Sequence, residues 1–286
     1  MARKISKNGK IYYTNNGTSP RSAFDPAFED DFVVPTLSDE EIRQKLDKRF
    51  SVLERVTHKC INGDISSLIV YGPAGVGKSY GVKHALDSAE CRYTFVSGYA
   101  TKIGLMKTLY SYRHKGDVVV FDDCDSVLFD ETSLSILKAI CDTTGERNVS
   151  YITDKPIYPE DETGVIPSTF AFEGTVIFIT NTDFENVSKR IEPHTKAMMS
   201  RSVYIDLAMR TRRDYLVRIH QVIDAGMLDM LGLAVDEKAD IIDYINTNYE
   251  RMKELSLRVV VKLAQLRKGD AEFWKEEADV TELRRS

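Results

Sequence analysis

Eight consecutive residues, Gly72-Pro73-Ala74-Gly75-Val76-Gly77-Lys78-Ser79, have the types and spacing to hold a chain of phosphates. They fill the pattern G-x-x-x-x-G-K-[ST], between a buried apolar run at residues 67–71 and a helical segment at residues 80–86. Glycines let a backbone wrap closely and turn its amide N–H groups inward, while the following helix adds the positive end of its dipole. In such a loop Lys78 neutralises the outer phosphates of a nucleoside triphosphate and the Ser79 hydroxyl serves Mg2+, so ATP and Mg2+ are the expected cofactors and Gly72 to Tyr80 the nucleotide-binding stretch. The pattern alone recurs by chance in Gly-rich turns; the strand before it and the helix after it make it specific.

A second chemical signal lies downstream. Residues 117–121 are a run of near-continuous valine that ends in Asp122-Asp123-Cys124-Asp125. A carboxylate at the carboxyl end of a buried strand beside a phosphate loop reaches the cation held by the loop's serine, which makes Asp122 the second metal candidate with Ser79. Asp123 is then placed to polarise an attacking water. The plainer alternative is a solvated acidic turn.

The elements that must position these groups follow from the rest of the chain. At 286 residues with a net charge of -5, the chain is long enough for one large or two small cores and is not coated in positive charge, so any nucleic-acid contact must be a local patch. Cys60, Cys91, Cys124 and Cys141 have no metal-ligand spacing and read as reduced, mostly buried thiols. No apolar run approaches the length of a membrane span, and the amino terminus has no apolar core, so a soluble, cytoplasmic protein is expected.

Residues 1–37 read as an extension, with a small hairpin turning on Asn8-Gly9. Its Arg3, Lys4, Lys7 and Lys10 beside Tyr12 and Tyr13 suit contact with nucleic acid, although a flexible basic arm is the plainer reading. Ser38 with Asp39, Glu40 and Glu41 opens a helix to about residue 59. Strands at 92–97 and 117–121 then alternate with helices at 101–112 and 132–141, which predicts an α/β core with a parallel sheet covered on both faces. Two strands, 149–153 and 165–172, make a hairpin insertion at about 146–173. After 208 the alternation stops, and amphipathic helices at 213–225, 236–246, 255–268 and 271–283 form a small helical lid, giving core 38–207 and lid 208–286.

The phosphate loop followed by the acidic strand end resembles the AAA+ ATPase family, and Asp122-Asp123-Cys124-Asp125 is similar to the D-E-x-D box of its clamp-loader-like members. This sequence departs by carrying Asp123 where most members have Glu. The resemblance implies further roles in the family's order over about residues 40–270. Thr175-Val176-Ile177-Phe178-Ile179-Thr180-Asn181 is similar to the first sensor, in which Asn181 holds the attacking water. Ser200-Arg201-Ser202 resembles the element whose arginine reaches the γ-phosphate of a neighbouring subunit, with Arg190 the runner-up. Leu255-Ser256-Leu257-Arg258 resembles the second sensor, with Arg258 contacting phosphates of its own subunit.

The hairpin, with Tyr151, Lys155, Tyr158, Glu160, Asp161 and Glu162, resembles one that faces the central channel in branch-migration motors and related rings; an ordinary surface hairpin fits as well. The resemblance extends to compact AAA+ proteins of large bacterial viruses. It implies a homo-oligomeric ring, hexameric or similar, hydrolysing ATP to remodel DNA or a DNA-replication or recombination complex. A protein-remodelling ATPase or helicase loader, and a P-loop small-molecule kinase, are the other readings.

Overall fold

The computed structural model describes residues 3–7, 10–14, 37–128, 130–143, 145–159, 164–184, 187, 189 and 191–284. The chain divides into two compact units, Met1–Ser38 and Asp39–Ser286. In the first, β1 (Arg3–Lys7) pairs antiparallel with β2 (Lys10–Thr14), with Lys7 opposite Lys10. The hairpin is where the sequence puts it; Asn8 and Gly9, and the stretch 15–36, lie outside the described residues.

The second unit is built in the order α1 (Asp39–Ile61), β3 (Ser67–Tyr71), α2 (Lys78–Ser88), β4 (Tyr93–Ser97), α3 (Lys102–Ser111), β5 (Val118–Asp122), α4 (Asp125–Leu128) and α5 (Glu131–Ile140). The chain continues through β6 (Asn148–Ser150), β7 (Thr169–Ala171), β8 (Thr175–Thr180), α6 (Glu192–Met199) and β9 (Val203–Asp206). Five strands form one sheet in the order β4-β5-β8-β3-β9, every neighbouring pair parallel. All their carboxyl ends therefore lie along one edge, where open α/β sheets bind ligands.

Side chains alternate across a strand, so continuous apolar runs mean that both faces are covered. Leu68, Val70, Val118, Val120, Ile177 and Ile179 join one core with Leu53 of α1 and Val82 and Leu86 of α2. Ile69, Val119, Phe121, Val176 and Phe178 join the other with Leu105 and Leu109 of α3 and Leu134 and Leu137 of α5. Each such side chain contributes about 1.5–3 kcal/mol by leaving water. Phe121 and Phe178 stack across β5 and β8 with ring centroids 5.4 Å apart.

Helix starts follow local caps. Thr101 accepts from the Gly104 N–H, and the Asp130 carboxylate from that of Ser133. The carboxy-terminal region is wholly helical in its regular elements: α7 (Arg212–Asp224), α8 (Met227–Met230), α9 (Val235–Asn248), α10 (Leu257–Gly269) and α11 (Trp274–Glu282). Thr211 forms a capping box with Asp214 at α7, and the Ser256 hydroxyl accepts from the Val259 N–H at α10. This is the fold class the AAA+ resemblance implies, an α/β core with both sheet faces covered and helices after it.

Several local expectations are corrected. The helical region after the core has one short helix, α8, beyond the four expected. Of the helically spaced apolar residues Leu216, Ile219 and Ile223 on α7, only Ile219 belongs to its buried face, which comprises Tyr215, Val217, Ile219 and Gln221. The insertion's strands are three residues each, followed by a single bridge between Ile157 and Ile166, rather than the longer strands expected. Pro156, Pro159 and Pro167 remove backbone donors there, and a ladder cannot run through them. Tyr151 packs on the core and Tyr158 is exposed; Glu160, Asp161 and Glu162 lie outside the described residues.

Gly174, just before β8, has no room for a side chain: a Cβ would meet the Tyr112 carbonyl oxygen and lie 3.1 Å from Phe172 Cζ and 3.2 Å from the Asp117 carbonyl oxygen. Gly174→Ala is expected to destabilise the fold by roughly 1–3 kcal/mol, read as a lower denaturation midpoint; an unchanged midpoint would show that the backbone there yields freely.

Candidate functional site: a phosphate loop at the strand ends

The loop leaves β3 at Gly72, a position where a Cβ would sit 3.1 Å from that of Leu207. Gly75 and Gly77 then take left-handed backbone, φ +70° and +97°, which suits residues without a side chain. Gly77 is the residue before α2, so the loop amides and the start of that helix face the same concavity.

Lys78 is only 6% exposed, yet it is fully engaged. Its ammonium donates to the carbonyls of Gly72 at 2.6 Å and Pro73 at 2.8 Å, and to Asn181 Oδ1 at 2.7 Å. Asn181, just past β8, donates from Nδ2 to Asp123 Oδ1 at 2.8 Å. The two contacts fix which way the amide faces. Beside them the Ser79 hydroxyl donates to Asp122 Oδ1 at 2.8 Å. Lys78, Asn181 and Asp123 thus form one hydrogen-bonded chain, with the Ser79–Asp122 pair adjoining it in sequence at both ends, in residues spread over more than a hundred positions.

Asp123 is unusual in its backbone, with φ +48°, and its N–H donates to the Ile179 carbonyl at 2.9 Å. That conformation turns the second acid away from the direction of the first, so the two carboxylates meet different partners. Burial holds the Asp122 carboxyl above its usual range, with the Ser79 hydrogen bond pulling the other way. Burial likewise pushes Lys78 down to about 8, offset in part by Asp123 and Asp122 and reinforced by the like charge of Arg258.

Ser79 and Asp122 suit Mg2+: both offer hard oxygens, side by side, and Mg2+ takes few protein ligands and completes its shell with water and phosphate. Among the described residues no cluster of three or more His, Cys, Asp or Glu offers a rival site.

The loop also touches the carboxy-terminal helices. The Leu257 N–H donates to the Gly75 carbonyl at 2.8 Å, and a Cβ on Gly75 would lie 2.7 Å from that of Ser256. Arg258, exposed at the start of α10, comes with them to the wall of a cleft of about 570 Å3 that also contains Lys78, Asp123 and Asn181. The same cleft is lined by Arg218 of α7, which sequence reasoning missed. Its Nε donates to the Val76 carbonyl at 3.2 Å, and its guanidinium lies 3.4 Å over the Phe50 ring of α1. The spacing of Arg218 with the buried Tyr215 and Gln221, three residues to either side, is the one signal that marked it as inward-facing.

Arg201 is not brought into this cluster. Its backbone lies beside Ser67, the first residue of β3, and its Nη1 donates to the Ala197 carbonyl at 2.9 Å. The loop begins at the other end of that strand, roughly 16 Å away at the usual rise per residue. Arg190 lies outside the described residues.

No family model matches the chain. Point mutants of Thermotoga maritima RuvB superpose with TM-scores of 0.46 and 0.47, at 12% identity, over 85% and 83% of this chain and 72% and 69% of theirs. The T. maritima RuvB Holliday junction branch migration motor superposes with a TM-score of 0.37 at 13% identity, over 82% of this chain and 72% of that one. At such scores and identities these likenesses assign nothing to this chain.

The low Lys78 value has a consequence for folding. Below pH 8 the amine is protonated in folded and unfolded chains alike; between about 8 and its ordinary 10.5 the folded chain releases a proton that the unfolded chain keeps. Its contribution to stability therefore rises with pH across that window. The difference in unfolding free energy between wild type and Lys78→Met is expected to move in favour of wild type from pH 8 upward; a flat difference would place the amine in water.

An uncharacterized 36.7 kDa protein encoded between nrdC and mobD in Enterobacteria phage T4 is 35% identical over 251 residues, covering 83% of this chain and 74% of that protein. Identity of that degree and extent places the chain in the same family as the phage T4 protein.

Proposed function

We propose that the chain is an ATPase that binds ATP with Mg2+ between the phosphate loop and the ends of β5 and β8. The observation that carries this reading is the continuous set of hydrogen bonds from Lys78 through Asn181 to Asp123, with Ser79 and Asp122 alongside. Lys78 faces the outer phosphates, and its three present acceptors are of the kind a phosphate oxygen replaces. Ser79 and Asp122 would hold Mg2+, which when bound neutralises charge on the phosphate oxygens. Asp123 keeps one carboxylate oxygen beyond its bond from Asn181, and that oxygen accepts a hydrogen bond from the attacking water. Arg258 contacts the phosphates from the lid, on the cleft wall it already occupies.

The finer reading is a ring, hexameric or similar, in which Arg201 of one copy completes the site of the next. Its placement at the far end of β3 from its own loop supports action on a neighbour. Remodelling of DNA, or of a replication or recombination complex, is supported by the resemblance of the acidic box and of Ser200-Arg201-Ser202 to clamp-loader elements. A phage setting is supported by the T4 relative.

Lys78→Ala is expected to abolish ATP binding in a titration with a fluorescent analogue. Asp123→Asn should keep binding within a few-fold and lower turnover by about 10²–10⁴. Arg201→Ala should bind ATP normally yet turn over only when mixed with subunits that carry the arginine; no recovery at any mixing ratio would remove the trans role. Turnover raised by a polypeptide and indifferent to single-stranded DNA would favour protein remodelling.

A further inference from the structure

We propose that Arg218 is a further nucleotide-binding residue, which holds the phosphate nearest the sugar and so joins the first lid helix to the phosphate loop. This rests on the reading of the cleft as a nucleotide site. Lys78, Asn181 and Asp123 mark the end of the cleft that takes the outer phosphates, because the lysine of such a loop reaches the β- and γ-phosphates. The loop amides serve the inner phosphates. Arg218 stands at that inner end: its Nε is bonded to the Val76 carbonyl, and its Nη2 would lie 3.4 Å from a Cβ on Gly77.

The surroundings of this guanidinium are those of a cation prepared for an anion. One face lies on Phe50, which orients it and keeps water from that side. Among the described residues no carboxylate stands within ion-pair distance of it. Burial pushes its pKa down to about 10, and Asp47 opposes this only in part. A half-buried guanidinium without a carboxylate partner is costly, and phosphate oxygens repay that cost with charge-assisted, bidentate bonds. Its Nη groups remain available for them, since only Nε is bonded to the loop.

The same helix then continues the site away from the phosphates. Val222 and Ala225 follow Arg218 at i+4 and i+7, hence on one face, and with Met227 and Met230 they line the cleft's apolar end. Arg218 therefore lies between the loop and an apolar wall suited to a base, where the innermost phosphate of a nucleotide must pass. A lone salt bridge on the lid surface would have none of these neighbours.

The test is competition against a fluorescent ADP analogue by ATP, ADP and adenosine, for wild type, Arg218→Met and Arg218→Lys. The methionine keeps the stem over Phe50 and removes the charge. It is expected to weaken ATP and ADP equally, by about tenfold or more, while leaving adenosine within twofold and the nucleotide-free melting temperature unchanged; the lysine should recover part of the loss. A methionine variant that binds ATP and ADP like wild type overturns the inference alone. So does an equal loss for adenosine, which would make Arg218 a structural fastener. If the methionine variant does not fold, Arg218→Gln carries the same comparison. A wild type that binds no ATP overturns the ATPase reading as well.

Discussion

A single buried ammonium ties the candidate site together. Removing the Lys78 charge from water costs several kcal/mol unless its hydrogen bonds are replaced, and its acceptors come from two places: the Gly72 and Pro73 carbonyls of the loop, and the side chain of Asn181 past β8. The loop and the end of β8 must therefore be held in one register, which the pairing of Tyr71 with Thr180 supplies. Through the Asn181 amide the same constraint reaches Asp123. Moving any of these strands by one residue would leave a charge or an amide unpaired in the interior.

Sheet order does the rest. Placing β8 between β5 and β3 brings together the residues that follow three strands far apart in sequence, and parallel pairing puts all of them at the same edge. Alternating burial on both faces of those strands leaves them little freedom to slip, since a shift of one residue would exchange the two cores. The helices after β9 supply the remaining wall, and their contact with the loop is through backbone, the Leu257 N–H on the Gly75 carbonyl. Such a contact depends on the shape of the loop rather than on the identity of residue 257.

That distinction explains what the sequence revealed. Gly72 to Ser79 is legible because the conformations and charges a phosphate loop needs permit few residue types, and the valine run before Asp122 is legible because a strand buried on both faces has no polar positions. The apolar spacing of Leu134, Leu137 and Ile140 likewise marks a helix that is buried on that face. Strand order was not legible, because no residue encodes which of two parallel neighbours lies on which side. The short β6 and β7 were misjudged from their apolar runs despite Pro156, Pro159 and Pro167, whose missing donors outweigh side-chain pattern. Arg218 was missed for a different reason: its partners, Phe50 and Val76, lie 168 and 142 residues earlier, and its spacing from Tyr215 and Gln221 marks an inward face without naming what that face meets.

The left-handed turn at Asp123 bears on which acids the position tolerates. Asp and Asn enter that region of backbone space more readily than longer or branched residues, because a short polar side chain bonds locally and relieves the crowding. A glutamate here would gain a methylene of reach and meet an unfavourable backbone at the same time. Length of the acid and handedness of the turn are therefore coupled at this position: a longer carboxylate would have to bear the left-handed backbone or shift it.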